Sequence, residues 1–484
     1  MMLFANGTYY VFLIAVFFAY WPIAERVRMR VGFLILVNCL FYLVISAGGT
    51  VYGRGRALML LLGISATDFM ITRLMSRSAD RILRKRLLWV SLTIDTGTLC
   101  VFKYANFYIE LASTAASPFG FAVSNTRLNI VAPIGISFFI FQSLAYVIDV
   151  YRKDTEPAPS YADYLCFVSF FPTIVAGPIL RARQLLPQLR SRLALDSASG
   201  GQALFLIALG LIKKIAIADY LSANLVDRVF DFPERFSSLE VLAAIYGYAL
   251  QIYADFSGYS DIAIGSAMLL GFRLPVNFNS PYRAIDLPDF WRRWHISLST
   301  WLRDYVFFAI SGPRARNVTM LYCGLVVTML IGGLWHGAAW TFVLWGLLHG
   351  VGLATARAWT SLRRQLGFTK RNTRLSRFAS GLITFHFVCF AWVFFRVETV
   401  SGALGVLRQL TSFSTDTTNL SLALGLLIVG SLAVQWLPDG MFRLALNGFV
   451  RLPAPAQACV LFVLALGLYS VASSDLVPFI YSRF

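Results

Sequence analysis

The chain has 484 residues, 58% hydrophobic and 15% aromatic, with only 14% charged and an excess of Lys and Arg (42) over Asp and Glu (24) that gives a net charge of +18. Soluble domains carry about 25% charged and about 45–50% apolar residues, so this composition excludes a water-soluble fold, and a mean hydropathy of +0.67 names the bilayer as its solvent. It also argues against a nucleic-acid partner, because the basic residues sit in short clusters between apolar runs with no groove-reading module beside them.

From the N-terminus, Met1 to Tyr20 is apolar and lacks a basic leader and a small-residue cleavage site, which predicts a retained first span. A bilayer crossing needs roughly 17–25 apolar residues. Runs at 8–24, 31–48, 56–74, 87–103 and 202–220, then 379–396, 419–437 and 456–473, meet that length. Three basic clusters lie between runs: Arg26, Arg28 and Arg30; Arg73, Arg77, Arg81, Arg84, Lys85 and Arg86; and Arg363, Arg364, Lys370, Arg371, Arg374 and Arg377. They predict cytoplasmic loops. Cys39, Cys100, Cys166, Cys323, Cys389 and Cys459 are scattered singly, spaced for neither zinc nor a redox couple.

The middle of the chain is less regular. Stretches 129–151, 160–178, 239–272 and 317–357 carry Gly, Pro and polar residues inside apolar sequence, with the clearest breaks at Pro133 to Gly135 and Ala176 to Pro178. Broken helix at membrane depth survives only where protein or a water-filled cavity satisfies it, so these stretches are expected to line an interior site rather than to be simple spans. Segment 285–303, IDLPDFWRRWHISLSTWLR, mixes Trp291, Trp294 and Trp301 with Arg292, Arg293 and Arg303 and predicts an amphipathic helix lying flat at the interface. The expected fold is all-α and polytopic, one transmembrane domain over 1–484, with N-terminal spans (1–125), a core (126–357) and C-terminal spans (358–484).

Few residues can do chemistry. Imidazole is the usual general base for acyl transfer, and the chain has four: His295, His336, His349 and His386. His336, in IGGLWHGAAW, stands among glycines and alanines that would let a substrate reach the ring, with Trp335 and Trp340 as walls. His295 lies in the basic aromatic segment and would meet a headgroup, a substrate pyrophosphate or nothing. His349 and His386 lack polar company and read as structural. In YADFSGYSDIAIG, Asp255 would orient a catalytic histidine, bind a base of the interfacial segment, or stabilise a discontinuous helix, because a buried carboxylate needs a partner. Glycine-rich phosphate loops, metal-ligand triplets and a G-x-S-x-G elbow are all missing from the sequence. That pattern favours direct transfer, in which an imidazole takes the proton of the attacking hydroxyl. A general-base histidine implies a rate that rises through roughly pH 6 to 7.

The segments VFKYANF (101–107), APIGISFFIFQSLAYVIDVYR (132–152), FFPTIVAGPILR (170–181), YADFSGYSDIAIGSAMLLGFRLPVNFNSPY (253–282), FWRRWHISLSTWLRDYVF (290–307) and GGLWHGAAWTFVLWGLLHG (332–350) run in order across about half the chain. Together they resemble the membrane-bound O-acyltransferase family, in the bacterial branch typified by the membrane subunit of alginate O-acetyltransferase. The resemblance implies about 10–12 spanning or re-entrant helices around a tunnel, with the donor, acetyl-CoA, entering from the cytoplasm and the acceptor from outside. It puts the family's hallmark histidine on His336 and its second polar position on His295, with Trp335, Asp255, Arg292 and Arg293 as tunnel-lining candidates and no metal or resident cofactor. It further implies a multi-pass protein of the bacterial inner membrane, a polysaccharide acceptor (alginate, cellulose, another exopolysaccharide or peptidoglycan) and a separate extracytoplasmic or membrane-anchored acetyltransferase subunit. The sequence departs from that branch in its first fifty residues and at PRARN, after Gly312.

Two other readings compete. One is a flippase or permease for a lipid-linked sugar, although no internal repeat is visible. The other is a member of the same family that moves a longer acyl chain onto lipid or protein.

Overall fold

The computed structural model describes residues 6–45, 51–119, 128, 130, 132–175, 177–312, 317–367 and 373–472, and among these there is no strand. Ala176, residues 313–316 of the PRARN segment, and Lys370 and Arg371 lie outside the described residues. The chain divides into two compact units, residues 1–200 with 266–275, and residues 201–265 with 276–484.

The first unit contains α1 (Gly7–Tyr20), α2 (Val27–Ile45), α3 (Val51–Arg77), α4 (Arg81–Leu99), α5 (Ala105–Ala116), α6 (Ile136–Arg152), α7 (Tyr161–Val168) and α8 (Ala182–Arg190). The break before α6 is a turn with Gly135 at φ +76°, and the described residues between α7 and α8, Gly177 and Pro178 among them, are non-helical, so irregular backbone is found where Gly and Pro predicted it. The basic clusters expected as loops are helical instead: of their described residues only Arg26 lies outside a helix. Arg30 is fully buried and donates to the carbonyls of Ala24, Leu189 and Ser191 at 2.6–2.9 Å, which pins α2 to the end of α8.

α9 (Ser197–Leu211) opens the second unit and runs on through π-helical turns Ile212–Asp219 and Ser222–Val226 into α10 (Asp227–Asp231). Next come α11 (Ser238–Leu269), α12 (Leu287–Arg293), α13 (Ile296–Trp301), α14 (Phe308–Ser311), α15 (Val318–His336), α16 (Trp340–Gln365), α17 (Arg374–Arg396), α18 (Val400–Leu410), α19 (Leu422–Gln435), α20 (Asp439–Arg451) and α21 (Ala454–Val471).

Among the described residues five helices are long and apolar enough to cross a membrane: Val27–Ile45, Arg54–Arg77, Val318–His336, Arg374–Arg396 and Ala454–Val471. The pair α19 and α20, bent by 99°, makes a sixth if counted as one broken span. Only 6% of the Ala454–Val471 span is buried by protein, and Phe462 and Val463 stand more than 60% exposed. In water that face would be an aggregation site; in lipid it is in its own solvent. The chain is an all-α, multi-pass membrane protein.

Three expectations need correction. Stretch 239–272 is not broken: α11 runs through it as one 32-residue helix, because its carboxylates find ammonium partners on the π-helical stretch after α9. Stretch 317–357 is two long helices that part only at Gly337 to Ala339. Segment 285–303 is not a flat interfacial helix but two short helices, α12 and α13, kinked at Trp294 and His295, and Phe290, Trp291, Trp294 and Trp301 are buried in protein. Trp and Arg together suit a protein core closed by ion pairs as well as they suit a membrane surface, and composition alone does not separate the two.

Candidate functional site

His336 is the last residue of α15, and Gly337 ends the helix in extended backbone. The flanking glycines do not make room for substrate. A Cβ on Gly333 would meet the Phe342 carbonyl oxygen at 2.3 Å, one on Gly346 would meet that of Met329 at 2.5 Å, and one on Gly337 would strike the Phe342 ring at 2.1 Å. They let α15 and α16 approach closely, as small residues do between membrane helices. That packing puts His336, 3% exposed, against three rings: Trp335 at 4.8 Å, Trp345 of α16 at 5.1 Å and Phe395 of α17 at 4.9 Å, all edge to face. Trp340 is 55% exposed, far more open than Trp335 and Trp345.

His295 reaches the same place from the other side. Its ring lies 6.1 Å from Trp335, so the two imidazoles share one indole, and Phe256 of α11 stands edge-on to it at 4.6 Å. His295 caps α13 with φ +40° and ψ +58°, a left-handed conformation that costs a non-glycine residue about 1–3 kcal/mol and persists only where the surroundings impose it. The imposing element is the strand-like segment 277–279. The Ile296 N–H donates to the Asn277 carbonyl and the Asn279 N–H to the Arg293 carbonyl, both at 2.9 Å. The Asn277 side chain completes the clasp: its Oδ1 accepts from the Ser297 N–H (3.1 Å) and hydroxyl (2.9 Å) and lies 3.2 Å from His295 Nδ1, while its Nδ2 donates to Ser260 of α11 at 3.2 Å. His295 is fully buried outside the spanning helices, and loss of water pushes its pKa down to about 3.

His336, Trp335 and His295 are therefore brought together, while Asp255, Arg292 and Arg293 are held in ion pairs of their own. Asp255 is ion-paired at 2.8 Å to Lys214, whose ammonium also meets Asp219 at 2.7 Å. Arg292 and Arg293 pair with Asp289 at 3.5 and 3.1 Å and line a separate pocket of about 490 Å³ with Arg283, Arg374, Arg377, Phe378 and Trp436. Of the remaining histidines, His386 is satisfied by Tyr246 and the Leu382 carbonyl. His349 is caged by Trp291, Trp345 and Phe387, with no hydrogen bond among the described residues. Sequence reasoning missed Asn277, Trp345 and Phe395. Asn277 had a visible signal, an amide between Val276 and Phe278 in an otherwise apolar approach to the motif; the two rings look like any core aromatics.

A neutral imidazole in a water-poor aromatic box can take a proton from a hydroxyl, and two such rings on one indole can hold two hydroxyls of one acceptor. Comparison with known proteins points the same way. A family model described as the membrane-bound O-acyltransferase family matches residues 155–397, which contain both histidines. The chain is 33% identical over 408 residues to a peptidoglycan O-acetyltransferase of Helicobacter pylori, covering 79% of this chain and 73% of that protein. It is 36% identical over 462 residues to the probable alginate O-acetylase AlgI of Pseudomonas aeruginosa, covering 94% of this chain and 84% of that protein. It is also 36% identical over 441 residues to the protein of the same description from Azotobacter vinelandii, covering 83% and 85% respectively.

Proposed function

The chain belongs to the membrane-bound O-acyltransferase family, and from that premise we propose that it moves an acetyl group from cytoplasmic acetyl-CoA across the bacterial inner membrane to hydroxyls of an extracytoplasmic polysaccharide. The observation that carries this reading is the buried pair His336 and His295 on the shared ring of Trp335. In the transfer, an acceptor hydroxyl oxygen attacks the thioester carbonyl while His336 takes its proton; the C–S bond breaks, and the imidazolium returns the proton to the leaving thiolate. His295 accepts a hydrogen bond from a second hydroxyl of the same acceptor and so holds the first in line. A sugar with neighbouring hydroxyls meets that requirement.

Acetyl is favoured over a longer chain by the relatives, which are described as an O-acetyltransferase and as O-acetylases. A CoA donor is supported by Arg374 and Arg377, which line the pocket with Phe378 and Trp436 and suit phosphates carried beside an aromatic ring, while Asp286 and Asp289 of the same pocket pair with Arg292 and Arg293. Arg374 and Arg377 of that pocket belong to a basic cluster of the kind retained in the cytoplasm. A separate extracytoplasmic or membrane-anchored acetyltransferase subunit completes delivery to the polymer. The test is thiol release by the purified protein in proteoliposomes, given acyl-CoA donors of graded length and a polysaccharide acceptor. Acetyl-CoA is expected to be cleaved fastest; preference for eight or more carbons would overturn the proposal.

A further inference from the structure

We propose that Asn277 is a positioning residue that sets the tautomer of His295, keeping the proton on Nδ1 and leaving Nε2 as a bare lone pair facing the site. The inference rests on the reading of His295 as an acceptor-binding group, and the experiment below separates the two.

One donor in the cluster has a fixed role. A backbone N–H can only donate, and the Ser297 N–H lies 3.1 Å from Asn277 Oδ1. That end of the amide is therefore the oxygen. Turning the amide over would set an NH₂ against that N–H, and the Ser260 hydroxyl, which can donate or accept, takes the Nδ2 proton at 3.2 Å in the orientation that the N–H imposes. Asn277 is thus oriented by the α13 turn and tied to α11.

The consequence for the imidazole follows at once. His295 Nδ1 stands 3.2 Å from that fixed oxygen, so it makes a hydrogen bond there only by carrying the proton. The Ser297 hydroxyl does not compete for it, because its single proton goes to the same oxygen at 2.9 Å, while its contact with Nδ1 is longer, at 3.4 Å. A neutral imidazole has one N–H. With Nδ1 protonated, Nε2 is an acceptor, and it is buried with no hydrogen-bond partner among the described residues. A buried acceptor without a partner costs stability, and its burial beside Trp335 and Phe256 marks the place where a hydroxyl donor docks. The strained left-handed backbone of His295 has the same origin, since the clasp that fixes the tautomer also fixes the turn.

The decisive experiment is ¹⁵N NMR of the full-length protein in lipid, labelled only at histidine, with His295→Gln used to assign the His295 signals. The wild type and Asn277→Asp, whose carboxylate still accepts from Nδ1, are expected to carry the proton on Nδ1. Asn277→Leu is expected to move it to Nε2 and to lower acetyl transfer by at least about tenfold, the scale on which outer-shell partners of histidine act, with Asn277→Asp restoring much of that loss. A wild-type His295 protonated on Nε2 would overturn the proposal, and so would an Asn277→Leu protein that loses transfer with its tautomer unchanged. The wild-type and Asn277→Asp spectra decide the matter even if Asn277→Leu does not fold. If the tautomers come out as stated but His295→Gln transfers acetyl at the full rate, the proposal for Asn277 stands and the role given to His295 fails.

Discussion

His295 and His336 are both buried against the ring of Trp335. Burial drives the His295 pKa to about 3, because water that would solvate the imidazolium is replaced by Phe256, Phe278 and Trp335. The sign follows from the charge: a buried histidine resists protonation, so His295 stays neutral from pH 8 down past the range where a free imidazole would charge. The ¹⁵N shifts of His295 in the purified protein should therefore stay those of a neutral ring from pH 8 to pH 5. A His295 that charges within that range would mean that its surroundings are wetter than this geometry allows.

At the scale of elements, close packing and buried ion pairs do the positioning. Lys214 holds Asp219 and Asp255 at 2.7 and 2.8 Å with 1% of its side chain exposed. Removing one partner of a buried pair costs about 3–5 kcal/mol, since the charge left behind is uncompensated. Lys214→Met should therefore lower the Tm of the purified protein markedly, whereas Asp255→Asn, which keeps the pair with Asp219, should lower it less. An unchanged Tm in Lys214→Met would contradict the structural role and return Asp255 to the list of substrate contacts. The same pairing explains a misreading of the sequence. Charges in 239–272 suggested a broken helix, but the partners that permit an unbroken α11 lie more than forty residues upstream, and local pattern does not reveal them. Spans such as Val27–Ile45 and Arg374–Arg396 were legible because hydropathy is a local property. The kink at His295 was not, since its cause is a clasp with Asn277, eighteen residues away.

At the scale of the whole molecule, composition alone excluded water as the solvent, and the described spans agree: apolar side chains such as Leu382, Ile383, Phe462 and Val463 cover surface that only lipid tolerates. The motifs singled out His336 and His295 separately, while the packing that brings both to the ring of Trp335 was not legible in them. The glycines about His336 suggested space, and they serve instead to bring two helices into contact, so that the site is a box of rings rather than an open cleft. The central claim is that this box transfers acetyl to a polysaccharide. Its most direct test is base-released acetate from purified cell-surface polysaccharide, comparing a deletion strain restored with the wild-type chain and one restored with His336→Ala at equal membrane abundance. Acetate is expected in the first and its loss in the second; equal acetate in both would overturn the role proposed for this box.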